Sequence, residues 1–252
     1  SLVGSEMCIR DRTNREQHTI SKKRICAKMD EQLYAARLRE IQQEILQLNN
    51  ATYAMAAYDK QRYPENFLEI SLDTAVRAER IACKMRHLIG AYGTVKPSAL
   101  MGQAIDAQGI TIQEDETNCT VVISIPRLLP RWKKNRSGEF LNRPLQYALE
   151  QYCREHPIRK YDVCAVCFVH IYDQKLSLGR IRDYDNLEMK HILDTIATYL
   201  MLDDNGLLCD VYHSSIYGET DCTRIYVMPQ PRLPDFISEL KIYPESISNL
   251  RT

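Results

Sequence analysis

Two groups of acidic residues bracket one amphipathic run, and this arrangement restricts the folds open to the chain more than any other feature. The first group is Arg182-Asp183-Tyr184-Asp185-Asn186-Leu187, and the second is Leu202-Asp203-Asp204-Asn205-Gly206. Between them Leu187, Ile192, Leu193, Ile196, Ala197 and Leu200 recur at helical spacing, which predicts a helix from Asn186 to Met201. A β-rich run, Val163 to Tyr172, precedes the first group. Leu207 to His213 and Thr223 to Met228 follow the second, separated by the turn signal Gly218-Glu219-Thr220-Asp221. Acids therefore stand at both ends of one helix, each next to sheet.

Taken singly, each group has an ordinary role. Asp185 suits the N-cap of the helix, and Asp203-Asp204-Asn205-Gly206 is a turn. Taken together, they are the hard oxygen ligands that a divalent cation prefers. In extended chain, Asp183 and Asp185 would face the same side. The loop is no EF-hand, because Leu187 stands where the next ligand would be and no closing Glu follows at the required offset. A straight sixteen-residue helix is about 24 Å long, so convergence on one ion requires it to stop short and the chain to return through Thr198 to Met201. His191 is an alternative general base, or an exposed helix histidine.

Composition narrows the setting. The 252 residues carry no formal net charge, so no global field draws in DNA or an anionic membrane, and nucleic-acid binding has to come from a local patch. The best such patch is Arg127, Arg131, Lys133, Lys134 and Arg136, with Trp132 among them. A solvated loop whose Trp packs on the core fits the same residues. No stretch is long and apolar enough to span a bilayer, and no charged-then-apolar leader opens the chain. Nine scattered cysteines favour reduced thiols and a cytoplasmic setting over a disulfide framework. Cys164 and Cys167 form C-x-x-C inside a predicted strand, where positions three apart point to opposite faces, so they read as core residues.

The chain divides as follows. Residues 1–28 are set aside as disordered or artefactual, because Ser1 to Arg12 resembles a translated sequencing adaptor and Met29 reads as a natural start. The alternative is a real basic tail that touches nucleic acid. Residues 29–93 predict an antiparallel helical hairpin, with Tyr34, Leu38, Ile41, Ile45 and Leu48 facing Ala75, Ala78, Ile81, Ala82, Met85 and Leu88. Residues 94–118 read as a linker, 119–229 as the main domain and 230–252 as a tail with a short helix near Phe236 to Tyr243. Within the main domain, Cys119 to Ile125 predicts a strand stopped by Pro126, and Arg143-Pro144 opens a helix closed by His156-Pro157.

The span from Cys119 to Pro229 resembles the RusA family of Holliday junction resolvases. The likeness rests on a strand ending in Pro126 before the basic loop, on R-D-x-D-N-L at Arg182 to Leu187, on Asp194 within the helix, and on Asp203-Asp204 at the family's spacing. It implies an α+β fold, a RusA-like mixed sheet packed with helices, here preceded by the added hairpin. It implies that Asp183, Asp185 and Asp204 bind Mg²⁺, with no small-molecule cofactor. It implies a homodimer that hydrolyses phosphodiesters in branched DNA, in recombination or repair, with Arg182 and the basic loop contacting phosphate. The resemblance also implies catalytic roles for Asp183, Asp185 and Asp204 and an essential helix lysine, for which Lys190 is the candidate; the family's position is Met189, and Lys190 stands one residue later, about 100° round the helix. That shift and the added hairpin leave a second possibility, a nuclease-like fold without catalysis that serves as a DNA-binding or assembly module of a mobile element.

Overall fold

The computed structural model describes residues 3–93, 95–130, 139–156, 159–176, 181 and 183–240, with side chains from Asp30 onward. Two units partition the chain, Ser1–Val95 and Lys96–Thr252.

The first unit is the helical hairpin. Helix α1 runs Val3–Ala57 without interruption, and no glycine or proline stands between Ser5 and Ala57 to stop it. It thus extends back through residues that the sequence set aside. Helix α2 (Pro64–Tyr92) opens with proline, whose missing N–H costs nothing in a first turn, and ends at Gly93. Leu38, Ile41 and Leu48 of α1 pack against Ile81, Met85, Leu88 and Tyr92 of α2. Lys84 and Glu44 pair across the seam at 2.9 Å. Ile45, expected in the seam, is 46% exposed, because Glu44 rather than its neighbour faces α2.

The second unit is α+β. The stretch read as a linker holds helix α3 (Pro97–Gln108) and strand β1 (Thr111–Asp115). Gly109 ends α3 with φ 64°, and a Cβ there would lie 2.9 Å from the Pro126 ring. Both the left-handed backbone and the close approach require glycine. Strands β2 (Thr120–Ile125), β3 (Cys164–Asp173), β4 (Cys209–Gly218) and β5 (Cys222–Pro229) complete a sheet of order β1-β2-β5-β3-β4. The β3–β4 pair is parallel and the others are antiparallel, so the sheet is mixed.

Helices α4 (Glu139–Glu155) and α5 (Lys190–Leu200) cover one face. Leu145, Leu149, Ile192, Ile196 and Leu200 pack there on Val121, Ile123, Val166, Phe168 and Ile225. The other face gathers Ala165, Cys167, Val169 and Met228 under Phe236 of α6 (Leu233–Leu240). Strand β3 is buried on both sides, which is why it reads as a continuous apolar run rather than an alternating one. Cys164 and Cys167 fall in opposite clusters, as strand geometry requires. Burial pushes both thiols up to about 12, so they are protonated and inert.

Pro144 does not open α4 but lies inside it. A proline there removes the hydrogen bond to the carbonyl four residues back, that of Phe140. Buried Gln108, the last residue of α3, replaces it: its Nε2 donates to the Phe140 carbonyl at 2.6 Å. The prediction is that Gln108→Leu removes this bond and destabilises the domain by about 1 kcal/mol, read as a lower urea midpoint.

Candidate functional site

The acid group at Asp183 to Leu187 does not run extended into a helix. Tyr184–Asn186 form a 3-10 turn, closed by the N–H of Asn186 on the Asp183 carbonyl (3.2 Å) and of Leu187 on the Tyr184 carbonyl (3.2 Å). Leu187 and Glu188 are buried, and α5 starts only at Lys190. The residue that caps α5 is Met189, with no side-chain bond, so Asp185 is not its N-cap. The same-side expectation for Asp183 and Asp185 rested on extended chain and does not carry over to this turn. Both are exposed; Asp183 is the N-cap residue of the 3-10 turn but its side chain makes no capping bond, which leaves hard oxygen donors facing solvent.

Tyr184 fastens this turn to the sheet. Its ring stacks on His213 (5.3 Å between centroids) and His170 (5.8 Å), and its hydroxyl donates to Ser215 Oγ at 3.1 Å. His213 stacks in turn on Phe168 (5.4 Å). Strand register places Thr223, His170 and Ser215 in one row across β5, β3 and β4, and His170 and Thr223 are fully buried. These residues were not singled out from the sequence. Their only signal there was a histidine in each of two strands, and without the register nothing joined His170 to His213.

The turn is also tied to the start of the basic segment. The Glu188 N–H donates to the Pro130 carbonyl at 2.9 Å, and Arg131 is the next residue in the chain. Arg131, Lys133, Lys134, Arg136 and Arg182 themselves lie outside the described residues. Lys190 pairs along its own helix with Asp194 at 3.4 Å. His191 lies between Glu188 (3.8 Å) and Asp194 (3.9 Å).

Asp204 belongs to the other end of α5. Asp203 accepts from the Asn205 N–H (3.0 Å), and the Asn205 carbonyl accepts from Cys209 at the start of β4 (3.0 Å). Met201 bridges to Tyr161, just before β3. Eleven residues of α5 span about 16 Å. Ser215, which holds Tyr184, is six residues along β4 from Cys209, on the order of 20 Å. Helix α5 runs to Leu200 with Met201 as its C-cap, so it does not stop well before Met201, and the chain then enters β4 rather than returning to Asp183. Asp183 and Asp185 thus share one turn, whereas Asp204 stands at the other end of α5. Among the described residues, no three His, Cys, Asp or Glu side chains gather closely enough to hold a metal ion.

The profile of a family of unknown function, DUF6100, matches residues 30–251. That is most of the chain, taking in the hairpin and the sheet alike. The protein belongs to DUF6100. No curated protein matches it. Among the described residues of this DUF6100 chain, no helix is long and apolar enough to cross a membrane.

His213 supplies a test of the stack. Burial depresses its pKa below 6.5, and its Nδ1 has no hydrogen-bond partner among the described residues. The folded state therefore holds it neutral while the unfolded chain takes up a proton as pH falls below 6.5. The stability His213 contributes is present above that pH and is lost as pH falls through its folded value. His213→Phe is predicted to keep the stack and flatten the decline of the urea midpoint between about pH 7 and 5.

Proposed function

We propose that this DUF6100 chain is a RusA-like, Mg²⁺-dependent endonuclease that hydrolyses phosphodiesters in branched DNA as a cytoplasmic homodimer. The observation that supports it most is the Glu188–Pro130 bond. It sets two exposed aspartates, Asp183 and Asp185, beside the point where the chain enters a run of arginine and lysine. Carboxylates for a hard cation next to cations for phosphate are the two requirements of phosphodiester chemistry. The order of R-D-x-D-N-L, helix and Asp203-Asp204 along the chain, set against a mixed sheet, fits the same reading.

The donor set of one chain does not by itself fit the ion. Sharing Mg²⁺ at ligand distances near 2.1 Å needs carboxylates within a few ångströms, and the length of α5, about 16 Å, lies between Asp204 and the acid turn. The endonuclease reading therefore requires Asp204 to come from a second copy. Arg131, Lys133, Lys134, Arg136 and Arg182 hold phosphate in this reading, by charge and by the bidentate geometry of arginine.

A specific observation favours the second reading, a nuclease-like fold that binds or assembles on DNA without cutting it. Lys190, the one lysine near the family's catalytic position, is paired with Asp194 on an exposed helix face instead of standing over the acid turn. Cleavage of synthetic four-way junctions separates the two. The endonuclease reading predicts nicking that depends on Mg²⁺ and falls by at least about 100-fold in Asp185→Asn, with junction binding retained. Binding without cleavage at any Mg²⁺ concentration supports the module, and cleavage undiminished in Asp185→Asn removes the acid turn from the chemistry.

A further inference from the structure

The two edges of the sheet are built differently. Strand β1, at one edge, is five residues long and ends Glu114-Asp115, short and acidic as protected edges are. Strand β4, at the other, is ten residues long and carries no charge from Val211 to Gly218. It pairs with β3 along its whole length, and among the described residues no strand pairs with its outer side. Val211 is 43% exposed, and Tyr212 to Gly218 are only partly covered. Every second residue of such a strand turns its N–H and C=O outward, and proteins rarely leave so long a neutral row bare.

We propose that the outer edge of β4 pairs antiparallel with the β4 of a second copy of this chain, about a two-fold axis at Ser214, joining two five-stranded sheets into one of ten. The residues of β4 suit this register. With Ser214 facing itself, Tyr212 meets Ile216 of the second copy, Val211 meets Tyr217, and His213 meets Ser215. Paired residues then share a face, as antiparallel geometry requires when the axis is normal to the sheet. Aromatic and β-branched side chains make favourable cross-strand pairs. The one acid of the strand, Asp210, meets Gly218, so no like charges oppose each other along the ladder. The uncharged Ser214 occupies the axis, so the self-pair adds no like-charge contact. An isologous contact of this kind closes on itself and hides the edge from further addition. The inference stands on the edge strand and does not rest on the nuclease reading.

Sedimentation velocity on the full chain at micromolar concentration tests it. The wild type is expected to sediment as a dimer. Val211→Lys, at an exposed position, breaks two symmetry-related pairs and is expected to weaken dimerisation by about tenfold or more. Adding Tyr217→Glu to Val211→Lys places opposite charges across both pairs and is expected to restore the dimer. Circular dichroism melting of each variant confirms that the fold is kept. Ser214→Cys puts two thiols at Cα separations of about 4.5–5.5 Å across the axis, within disulfide reach, so mild oxidation yields a covalent dimer absent from the oxidised wild type. A monomeric wild type, a dimer indifferent to Val211→Lys, or Ser214→Cys chains that do not cross-link would each overturn the proposal. Junction cleavage is a separate measurement, so loss of this interface and loss of the nuclease reading are told apart.

Discussion

Strand β3 is the constraint on which the sheet unit depends. It pairs with β5 on one side and β4 on the other, and it is buried on both faces. Its ten residues therefore fix five relations at once: the position of both neighbouring strands, and the seating of α4 and α5 above and α6 below. A strand so placed has no solvent face to relax into. Its side chains accordingly divide between the two clusters, Cys164 and Phe168 on one face and Cys167 on the other. Two buried polar side chains, His170 and Thr223, lie side by side at the end where the acid turn lies over the sheet.

That turn depends on Tyr184 more than on its aspartates. An exposed 3-10 turn of three residues has little stability of its own, since few backbone bonds repay the ordering of the chain. The Tyr184 ring against His170 and His213, its hydroxyl on Ser215, and the Glu188 N–H on Pro130 hold it in place. Among the described residues, no partner engages the carboxylates of Asp183 and Asp185. A cap or ion-pair role for them would have used the same oxygens that a cation or a solvent proton needs. The division of labour, with tyrosine anchoring and aspartates presented, is what makes the turn a candidate site.

The sequence carried the elements better than their connections. The apolar run of β3, the β-branched run of β2 and the amphipathic stripe of α5 are local patterns and were legible at once. Strand β1 was not. Its residues, Thr111 to Asp115, alternate weakly and end in acids, because an edge strand has only one neighbour to satisfy. The interior position of Pro144 was hidden too, since the group that compensates for it, Gln108, is remote in sequence and meets it only after α3 and α4 pack. Tyr184 was visible in the motif, but its partners His170, His213 and Ser215 depend on strand register, which no local pattern fixes.

The separation of Asp204 from Asp183 follows from topology and not from any detail of side chains. Strands β3 and β4 are parallel, so the exit of β3 and the start of β4 lie at opposite ends of the sheet. The connection between them must travel the length of the sheet, and α5 is that return. Acids placed in its two flanking loops are close in sequence and distant in space for the same reason. No adjustment of the helix length brings them together, because shortening α5 would also pull β4 out of register with β3. Two copies related by a two-fold escape the restriction, since rotation exchanges the ends of the sheet. The spacing that reads as one site along the chain is, in the folded unit, a statement about two ends of a crossover.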